Sequence, residues 1–245
     1  MQASCMIAAR LEPLLSIIVP VYNEGATIGA VLERLLTIDL PIPREIIAVN
    51  DGSRDGTAAA LDMAAAGSPL ITAIHQERNG GKGKAVRTAL ARTNGTIVAI
   101  QDADLELDPA QLADLVQPVL RGEADVVYGS RFMHGSAHVP LMTRLGNAGL
   151  TLVTNVLYGC SLTDMETCYK VMRGDLARRL PLTADRFDIE PEITVMLLGR
   201  GARIVELPVV FSPRSKAAGK KIRWRDGYHA VRLLVRNRFT GPAPD

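Results

Sequence analysis

The sequence is poor in the residues that build disulfide frameworks and zinc sites. Its 245 residues include three cysteines, Cys5, Cys160 and Cys168, and four histidines. No two cysteines have CxxC spacing and the histidines show no ligand spacing, so neither a disulfide framework nor a zinc site is predicted. This cysteine usage is typical of a protein from the reducing cytosol.

A strong excess of one charge and a clear membrane-spanning run are also missing. The formal net charge is +2, too small to predict a nucleic-acid partner. The longest uncharged run, between Arg144 and Asp164, is punctuated by glycine and asparagine, so it predicts an amphipathic helix near residues 144–158 and no transmembrane segment. Arg10 and Glu12 interrupt the apolar N-terminal stretch, which therefore does not predict a signal peptide.

What the chain does contain is a regular alternation of strand and helix patterns. Ser16–Tyr22 is an apolar run typical of a strand buried on both faces, and Ile28–Leu36 carries a helical apolar stripe. The pattern predicts an α/β fold with a mostly parallel central sheet flanked by helices. Further strands are predicted at Glu45–Val49, Leu70–His75, Thr96–Gln101, Asp125–Gly129 and Arg203–Val210, and further helices at Thr57–Ala66, Lys84–Arg92, Leu112–Leu120 and Pro191–Gly199.

Three acidic residues, Asp102, Asp104 and Glu106, follow one of these predicted strands. If the chain stays extended, alternate side chains face one side, so the three carboxylates are expected to converge. Hard oxygen ligands of this kind suit Mg²⁺ or Mn²⁺ held against a nucleotide diphosphate. The alternative for an isolated motif of this type is a solvated acidic loop.

Polar residues also follow the first two strands. In open α/β sheets ligands bind beyond the carboxyl ends of the strands, where Tyr22 and Asp51 lie. We expect Tyr22 to lie along a base or ribose and Asp51 to accept hydrogen bonds from a base edge. The neighbouring Asn50 and Gly52 are interpreted as turn formers.

The glycine-rich run Asn79–Lys84 matches neither of two familiar phosphate motifs. Gly83 follows Lys82 where a P-loop needs Ser or Thr, and Val86 stands where a GxGxxG fingerprint needs its last glycine. A glycine-rich loop that opens a helix still allows close approach of phosphates, and Lys82 is expected to offset their charge.

Taken together, five ordered motifs resemble the family 2 GT-A glycosyltransferases, and within them the dolichyl- or polyprenyl-phosphate mannose and glucose synthases. The resemblance covers about residues 15–238. The motifs are SIIVPVYNE (16–24), VNDGSRDGT (49–57), NGGKGKA (79–85), QDADLE (101–106) and YGSRF (128–132).

The resemblance implies a GT-A fold and an inverting, metal-dependent hexosyl transfer onto polyprenyl or dolichyl phosphate. The implied donor is GDP-mannose or UDP-glucose, and the implied cofactor is Mg²⁺ or Mn²⁺. Glu106 occupies a metal-ligand position where relatives often have Gln. Matched by motif, the residues implied to hold the base and ribose are Pro20, Tyr22, Glu24, Val49 and Asp51, and those of the nucleotide and metal segment are Asp102, Ala103 and Asp104.

On the acceptor side the expected chemistry is positioning of an anionic phosphate. Arg131 and Arg144 are the candidates to clamp it, because a guanidinium fork matches phosphate oxygens. Asp164 has three readings: it orients an arginine, contacts the sugar, or caps a turn. Arg214 and Lys220 resemble a segment of mannose synthases that folds over the donor diphosphate, and their spacing favours mannose over glucose.

We therefore expect one GT-A domain over residues 1–245, with a nucleotide-sugar half at about 15–130 and an acceptor half at about 131–238. The acceptor half ends in a basic amphipathic helix carrying Val231, Val235 and several arginines. Such a helix suits an anionic membrane surface. The expected location is the cytoplasm, peripheral to the cytoplasmic face of the membrane, and a separate membrane protein is a further candidate partner.

Two other functions remain open at this stage. A GT-A transferase acting on a glycan or a soluble acceptor would need a general base, for which Asp164 or Glu190 would have to serve. A non-enzymatic nucleotide-sugar binding protein would keep the donor loops without turnover. The acidic cluster and Arg131 argue against the second.

Overall fold

The computed structural model describes residues 12–133, 139–213 and 224–240. Within these ranges seven strands form one sheet: β1 (Leu15–Val21), β2 (Arg44–Asn50), β3 (Ile71–His75), β4 (Ile97–Ile100), β5 (Val126–Ser130), β6 (Lys170–Arg173) and β7 (Ile204–Pro208). The helices of the same ranges are α1 (Ile28–Thr37), α2 (Thr57–Gly67), α3 (Lys82–Leu90), α4 (Leu112–Leu115), α5 (Gln117–Leu120), α6 (Leu141–Tyr158), α7 (Gly174–Arg178), α8 (Ile189–Gly199) and α9 (Trp224–Thr240), with a 3₁₀ turn at Pro109–Gln111.

The strand order is β3-β2-β1-β4-β6-β5-β7. All neighbouring strands run parallel except β6, which is antiparallel to both β4 and β5. In β1 every residue except Pro20 is buried, as expected for a strand covered on both faces. The mostly parallel sheet flanked by helices confirms the predicted fold class.

The register of the strands brings several loops to one edge of the sheet. Val21 pairs with Asn50 and Ile18 with Ile100, so β1, β2 and β4 end near one another. Because β6 separates β4 from β5 and opposes both, β5 also ends at this edge, while β6 begins there. The chain entering β6, residues 163–169, is thereby brought beside the residues that follow β5.

The structure departs from the predicted elements in one divided helix and in two elements that were not predicted, β6 and the short helix α7. The predicted helix Leu112–Leu120 is divided into α4 and α5, because Pro118 has no amide hydrogen to continue the helical ladder. The short strand β6 was not predicted. Its sequence, Lys-Val-Met-Arg, begins with a fully buried lysine and has no clear alternation.

The helix predicted near residues 144–158 is confirmed and begins at Leu141. It packs against α9: the Tyr158 hydroxyl donates to the Leu234 carbonyl at 2.8 Å, and Arg238 Nε donates to the Leu157 carbonyl at 2.7 Å. Of the helices in the described ranges, none combines the length and the apolar character that crossing a bilayer requires.

Candidate active site

A cleft of about 510 Å³ opens at the edge of the sheet where β1, β2 and β4 end and α3 begins. Most of the residues predicted to bind the donor line this cleft, although they are far apart in sequence. The predicted residues on its walls are Pro20, Tyr22, Glu24, Asp51, Lys82, Asp102, Ala103 and Asp104.

Val49 is the exception among the residues expected to hold the base and ribose. It lies within β2, opposite Pro20 of β1, and its side chain is fully buried in the hydrophobic core. The expectation of a donor contact from the Val49 side chain is therefore corrected: Val49 packs beneath the cleft and does not line it.

Asp51 is buried and holds the glycine-rich loop in place. Its Oδ1 accepts from the backbone N–H of Gly80 at 2.7 Å, and its Oδ2 accepts from Gly81 N–H at 2.7 Å and from Asn79 Nδ2 at 2.8 Å. The neighbouring Asn50 accepts from Ser53 N–H at 3.0 Å, in agreement with its interpretation as a turn former. Asp51 thus shapes the cleft wall, and its contact with a base edge stays a prediction.

The glycines of this loop have a different role from the predicted one. The N–H groups of Gly80 and Gly81 are directed to Asp51, so these two do not form a phosphate cradle. Gly81 has φ +100°, and a Cβ on Gly81 or Gly83 would overlap the backbone carbonyls of Asp185 or Ala184. The glycines are needed because residues 184–186 pack directly on the loop.

Lys82 lies between two carboxylates. Its Nζ is 2.8 Å from Asp102 Oδ1 and 2.9 Å from Glu190 Oε1, and Glu190 Oε2 also accepts from Lys170 Nζ at 2.5 Å. Lys170 is fully buried and donates further to the carbonyls of Met165 and Thr167. Groups of alternating charge therefore form a row from the core to the cleft wall, in the order Lys170, Glu190, Lys82 and Asp102.

This arrangement favours the ionised forms of Lys82, Asp102 and Glu190. Burial opposes the charge on Lys82, but the carboxylates of Asp102 and Glu190 more than offset it and hold the pKa of Lys82 well above its usual range. Burial likewise disfavours charged Asp102, yet the Lys82 ammonium lowers the pKa of Asp102. Glu190 is also desolvated, and Lys170 and Lys82 lower its pKa.

The acidic cluster does not converge as predicted. β4 ends at Ile100, and the following chain turns through Leu105 at φ +61°, with Glu106 N–H donating to Asp104 Oδ1 at 3.1 Å. A turn, unlike extended chain, does not place alternate residues on one side. Asp102 and Asp104 line the cleft and Glu106 does not. Across the described residues no group of three or more His, Cys, Asp or Glu is placed to hold a metal.

Two cleft carboxylates are nevertheless compatible with a divalent cation. Mg²⁺ is usually bound through one or two carboxylates, with substrate phosphates and water completing the octahedron. Asp102 and Asp104 fit this mode, in which the donor itself supplies ligands. The prediction of Glu106 as a third ligand is not supported by this geometry.

Arg131 follows β5 directly and is held by Asp164. Arg131 Nε donates to Asp164 Oδ2 at 2.7 Å, Nη2 donates to Oδ1 at 2.8 Å, and the Arg131 backbone N–H donates to Oδ2 at 3.0 Å. Asp164 is fully buried. Of the three readings of Asp164, the structure shows the first, a residue that orients an arginine.

The surroundings of Arg131 connect it to the donor side. Burial disfavours its charge, but the hydrogen bonds and charge of Asp164 raise the pKa of Arg131 above its usual value. Its guanidinium lies 5.6 Å from the ring centre of Phe132 and 5.5 Å from that of Phe211. The positive charge of Arg131 also contributes to the lowered pKa of Asp102.

Arg144, predicted to clamp the acceptor phosphate, does not line the cleft. Arg144 is exposed on the first turn of α6, and its contact with an acceptor phosphate stays a prediction. Arg214 and Lys220 lie outside the described residues, so their predicted contact with the donor diphosphate is also untested.

Sequence reasoning missed other residues of the site. Arg186 and Phe187 line the cleft from the segment before α8, and Asn79 lines it beside Asp51. The sequence offers Glu190 only as a general base and gives no indication of a role for Lys170. The sequence gives one signal for these residues, the acids and the arginine within Arg186–Glu192. That signal does not show that this segment packs against the glycine-rich loop Asn79–Lys84.

Comparison with known proteins agrees with this geometry. The family model described as "Glycosyl transferase family 2" matches residues 16–180. The undecaprenyl-phosphate mannosyltransferase of Micrococcus luteus is 31% identical over 212 residues, covering 83% of this chain and 85% of that protein. The dolichyl-phosphate beta-glucosyltransferase of Trichomonas vaginalis is 28% identical over 215 residues, covering 81% of this chain and 64% of that protein.

A solved structure shares the fold. Glucosyl-3-phosphoglycerate synthase from Mycobacterium tuberculosis, crystallised with Mn²⁺, UDP and glucosyl-3-phosphoglycerate, superimposes with a TM-score of 0.69 at 22% identity. The match covers 96% of this chain and 81% of that one. At this identity the likeness supports the GT-A fold alone.

Proposed function

The chain belongs to glycosyltransferase family 2, and we propose that it transfers a hexose, with mannose favoured, from a nucleotide sugar to polyprenyl or dolichyl phosphate. The observation that carries the proposal is the position of Arg131. A bidentate ion pair fixes this arginine at the same sheet edge as the carboxylate-lined cleft. A fixed guanidinium beside a nucleotide-sized cleft suits an anionic acceptor.

The proposed reaction is a direct displacement with inversion. A phosphate oxygen of the acceptor attacks the anomeric carbon of the hexose, forming the new C–O bond, as the bond from that carbon to the β-phosphate oxygen breaks. The nucleoside diphosphate leaves with the electron pair. Because attack comes from the face opposite the leaving group, the anomeric configuration inverts.

The residues have separate parts in this proposal. Arg131, oriented by Asp164, positions the acceptor phosphate, and Tyr22 and Asp51 border the part of the cleft assigned to the nucleoside. Asp102 and Asp104 would hold Mg²⁺ or Mn²⁺, which when bound stabilises charge on the leaving diphosphate. No proton needs to be removed from the acceptor, since a phosphate monoester is already anionic near neutral pH.

A hydroxyl acceptor, by contrast, would require a general base. Both carboxylates proposed for that task are engaged: Asp164 binds Arg131, and Glu190 binds two lysines that lower its pKa. A carboxylate stabilised in its ionised form is a weak base. Glu166 has a pKa raised to about 7, mainly by burial, but it does not line the donor cleft. These observations favour the phosphate acceptor.

The choice of mannose as the sugar is supported by the name of one relative and by the spacing of two residues. The Micrococcus luteus relative is named for mannose and the Trichomonas vaginalis relative for glucose. The residues whose spacing favoured mannose, Arg214 and Lys220, lie outside the described residues. A UDP-glucose-dependent transferase with the same acceptor is the alternative.

Contact with the membrane surface is part of the proposal, at the cytoplasmic face. The packed helices α6 and α9 leave large apolar side chains exposed, including Met142 and Val156, each 74% exposed, and Phe239, 79% exposed. Residues 141–158 contain no acid, and Arg232, Arg236 and Arg238 are exposed on α9. Apolar side chains flanked by arginines suit an anionic bilayer surface.

Vesicle flotation tests this contact. The full chain should float with vesicles containing anionic lipid and much less with purely zwitterionic vesicles, and Met142→Asp with Val156→Asp should reduce flotation. Equal flotation of the double variant would contradict the assignment of α6.

The function itself is tested with purified protein, Mg²⁺ and a short polyprenyl phosphate. Radiolabelled GDP-mannose and UDP-glucose are supplied in parallel, and label is counted in the organic phase. Label from one donor is expected, with inverted anomeric configuration by NMR, and the matched polyprenol without phosphate should accept none. Transfer only to soluble hydroxyl acceptors would overturn the proposal.

A further inference from the structure

The described residues that line the donor cleft carry little positive charge for a ligand with a diphosphate. Four of the side chains that line the cleft are acidic. The cations among the described lining residues are Lys82 and Arg186. A divalent cation would balance part of the charge of a nucleoside diphosphate. The remainder calls for a protein cation.

Lys82, the cation that the sequence suggested, is already committed. Its ammonium lies within 2.9 Å of two carboxylates, Asp102 and Glu190, and its side chain is only 12% exposed. Its charge is neutralised by these two acids before any ligand arrives. Lys82 therefore adds little net attraction for a diphosphate.

Arg186, unlike Lys82, is not paired with a carboxylate of the described residues. Within the described part of the chain its guanidinium has no ion pair or side-chain hydrogen bond. The nearby acids have other partners: Asp185 pairs with Arg87, and Asp188 Oδ1 accepts from the Arg186 backbone N–H at 3.1 Å. Arg186 lines both the donor cleft and a second cavity of about 430 Å³, so there is space beside it for a ligand.

The segment that carries Arg186 is nevertheless rigidly placed. The Asp185 carbonyl accepts from Lys84 N–H at 3.1 Å, and the Thr183 carbonyl accepts from Arg87 Nη1 at 3.0 Å. Buried Glu192 accepts from Thr183 N–H at 3.0 Å and Ala184 N–H at 2.9 Å. These bonds attach the base of Arg186 to α3 and α8.

The side chain is directed over the start of α3. A Cβ placed on Gly81 would be 3.1 Å from Arg186 Cγ, so the aliphatic part of the arginine crosses the glycine-rich loop. The amino-terminal end of a helix carries partial positive charge that favours anions. Arg186 adds a full positive charge at the same place.

We propose that Arg186 binds the diphosphate of the nucleotide-sugar donor, in the role first expected of Lys82. This inference rests on the proposed function, since it assumes a nucleoside diphosphate in the cleft. It adds a donor-binding residue outside the five motifs and explains why residues 182–187 are attached so closely to the glycine-rich loop.

The test compares nucleotides with and without the diphosphate. Binding of UDP, uridine, GDP and guanosine is measured by calorimetry in Mg²⁺ for the wild type, Arg186→Gln and Arg186→Lys. Loss of a charge-assisted hydrogen bond predicts about 10- to 100-fold weaker binding of the preferred diphosphate by Arg186→Gln. Nucleoside binding should be unchanged, and Arg186→Lys should recover part of the loss. Arg121→Gln, an exposed arginine outside the cleft, is the matched control.

The outcomes separate this inference from the function it rests on. If the wild type binds a diphosphate and Arg186→Gln binds it equally well, the assignment of Arg186 is overturned and the proposed function stands. If diphosphate and nucleoside affinities fall together, Arg186 only shapes the cleft and the assignment is again overturned. If the wild type binds neither UDP nor GDP, both proposals fail.

Discussion

Arg131 and Asp164 form a bidentate ion pair, with N–O distances of 2.7 and 2.8 Å, in which the Asp164 side chain is fully buried and the Arg131 side chain is 12% exposed. The pair joins the residue that follows β5 to the segment that enters β6. Asp164 receives support from the other side, since Glu206 accepts from its N–H at 3.0 Å. The arginine is therefore fixed before any acceptor binds.

Replacing Arg131 should damage acceptor use far more than donor binding. Removal of a charge-assisted contact costs about 1.5–3 kcal/mol, so Arg131→Ala should lower kcat/KM for polyprenyl phosphate by roughly 10- to 150-fold. Affinity for the nucleoside diphosphate should change little. Steady-state kinetics with varied acceptor, together with calorimetric nucleotide binding, measure both effects.

Asp164→Asn gives the matched comparison, because it keeps the size of the side chain but not its charge. It should reproduce part of the acceptor defect while Arg131 is still present. An acceptor dependence unchanged in both variants would remove Arg131 from the acceptor site.

The sequence predicted well that Tyr22, Asp51 and Asp102 would meet in one cleft, because their placement follows from one topological rule. Each of them follows a parallel strand, and parallel strands end at one edge. The pairing of Asp164 with Arg131 could not be derived this way, since it depends on β6 running antiparallel. The convergence of three carboxylates failed because the left-handed conformation of Leu105 ends the extended chain.

Asp104→Ala should abolish metal-dependent turnover and leave the fold intact. Asp104 lines the cleft next to Asp102, where a bound divalent cation would meet both carboxylates. Chelation with EDTA should stop the wild type, and Mg²⁺ or Mn²⁺ should restore it. Activity measured across a metal titration, with circular dichroism for the fold, checks this.

The control is Asp114→Ala, which removes an exposed acid on α4 and should leave turnover unchanged. Full metal-dependent activity in Asp104→Ala would disprove the assignment of Asp104 as a metal ligand.

Glu190 should be important for stability as well as for the cleft. Glu190→Ala leaves the fully buried Lys170 without its carboxylate partner and frees Lys82 from one of two acids. Breaking a buried ion pair by removing one partner costs about 3–5 kcal/mol. Urea unfolding should show a correspondingly lower midpoint. Glu123→Ala, which breaks an exposed pair with Arg121, should leave the midpoint nearly unchanged; equal midpoints for both variants would contradict a structural role for Glu190.

No sequence pattern indicated that Lys170 and Glu190 would meet. Both are charged residues, and such residues are usually exposed. Their burial is imposed by the sheet, because β6 begins at the same edge at which α8 starts and the two side chains face each other there. Charges enclosed by tertiary packing in this way, like the placement of Arg186, follow from three-dimensional contacts that local periodicity does not encode.

Glu166 is expected to make stability depend on pH near neutrality. Burial raises its pKa to about 7, with the negative charges of Glu190 and Asp164 adding to the effect and Lys170 and Arg131 opposing it. In the unfolded chain a glutamate ionises near pH 4.3. Between these two values the folded protein keeps a proton that the unfolded chain has lost, so this residue's contribution to stability falls as pH rises and is lost above about pH 7.

Glu166→Gln should therefore gain stability relative to the wild type as pH rises from 5 to 8, because it cannot acquire the buried negative charge. The relative gain should be on the order of 2–3 kcal/mol, since each unit of pKa shift corresponds to about 1.4 kcal/mol. Urea unfolding of both proteins at several pH values measures the difference. A difference that stays constant from pH 5 to 8 would show that Glu166 ionises normally in the folded protein.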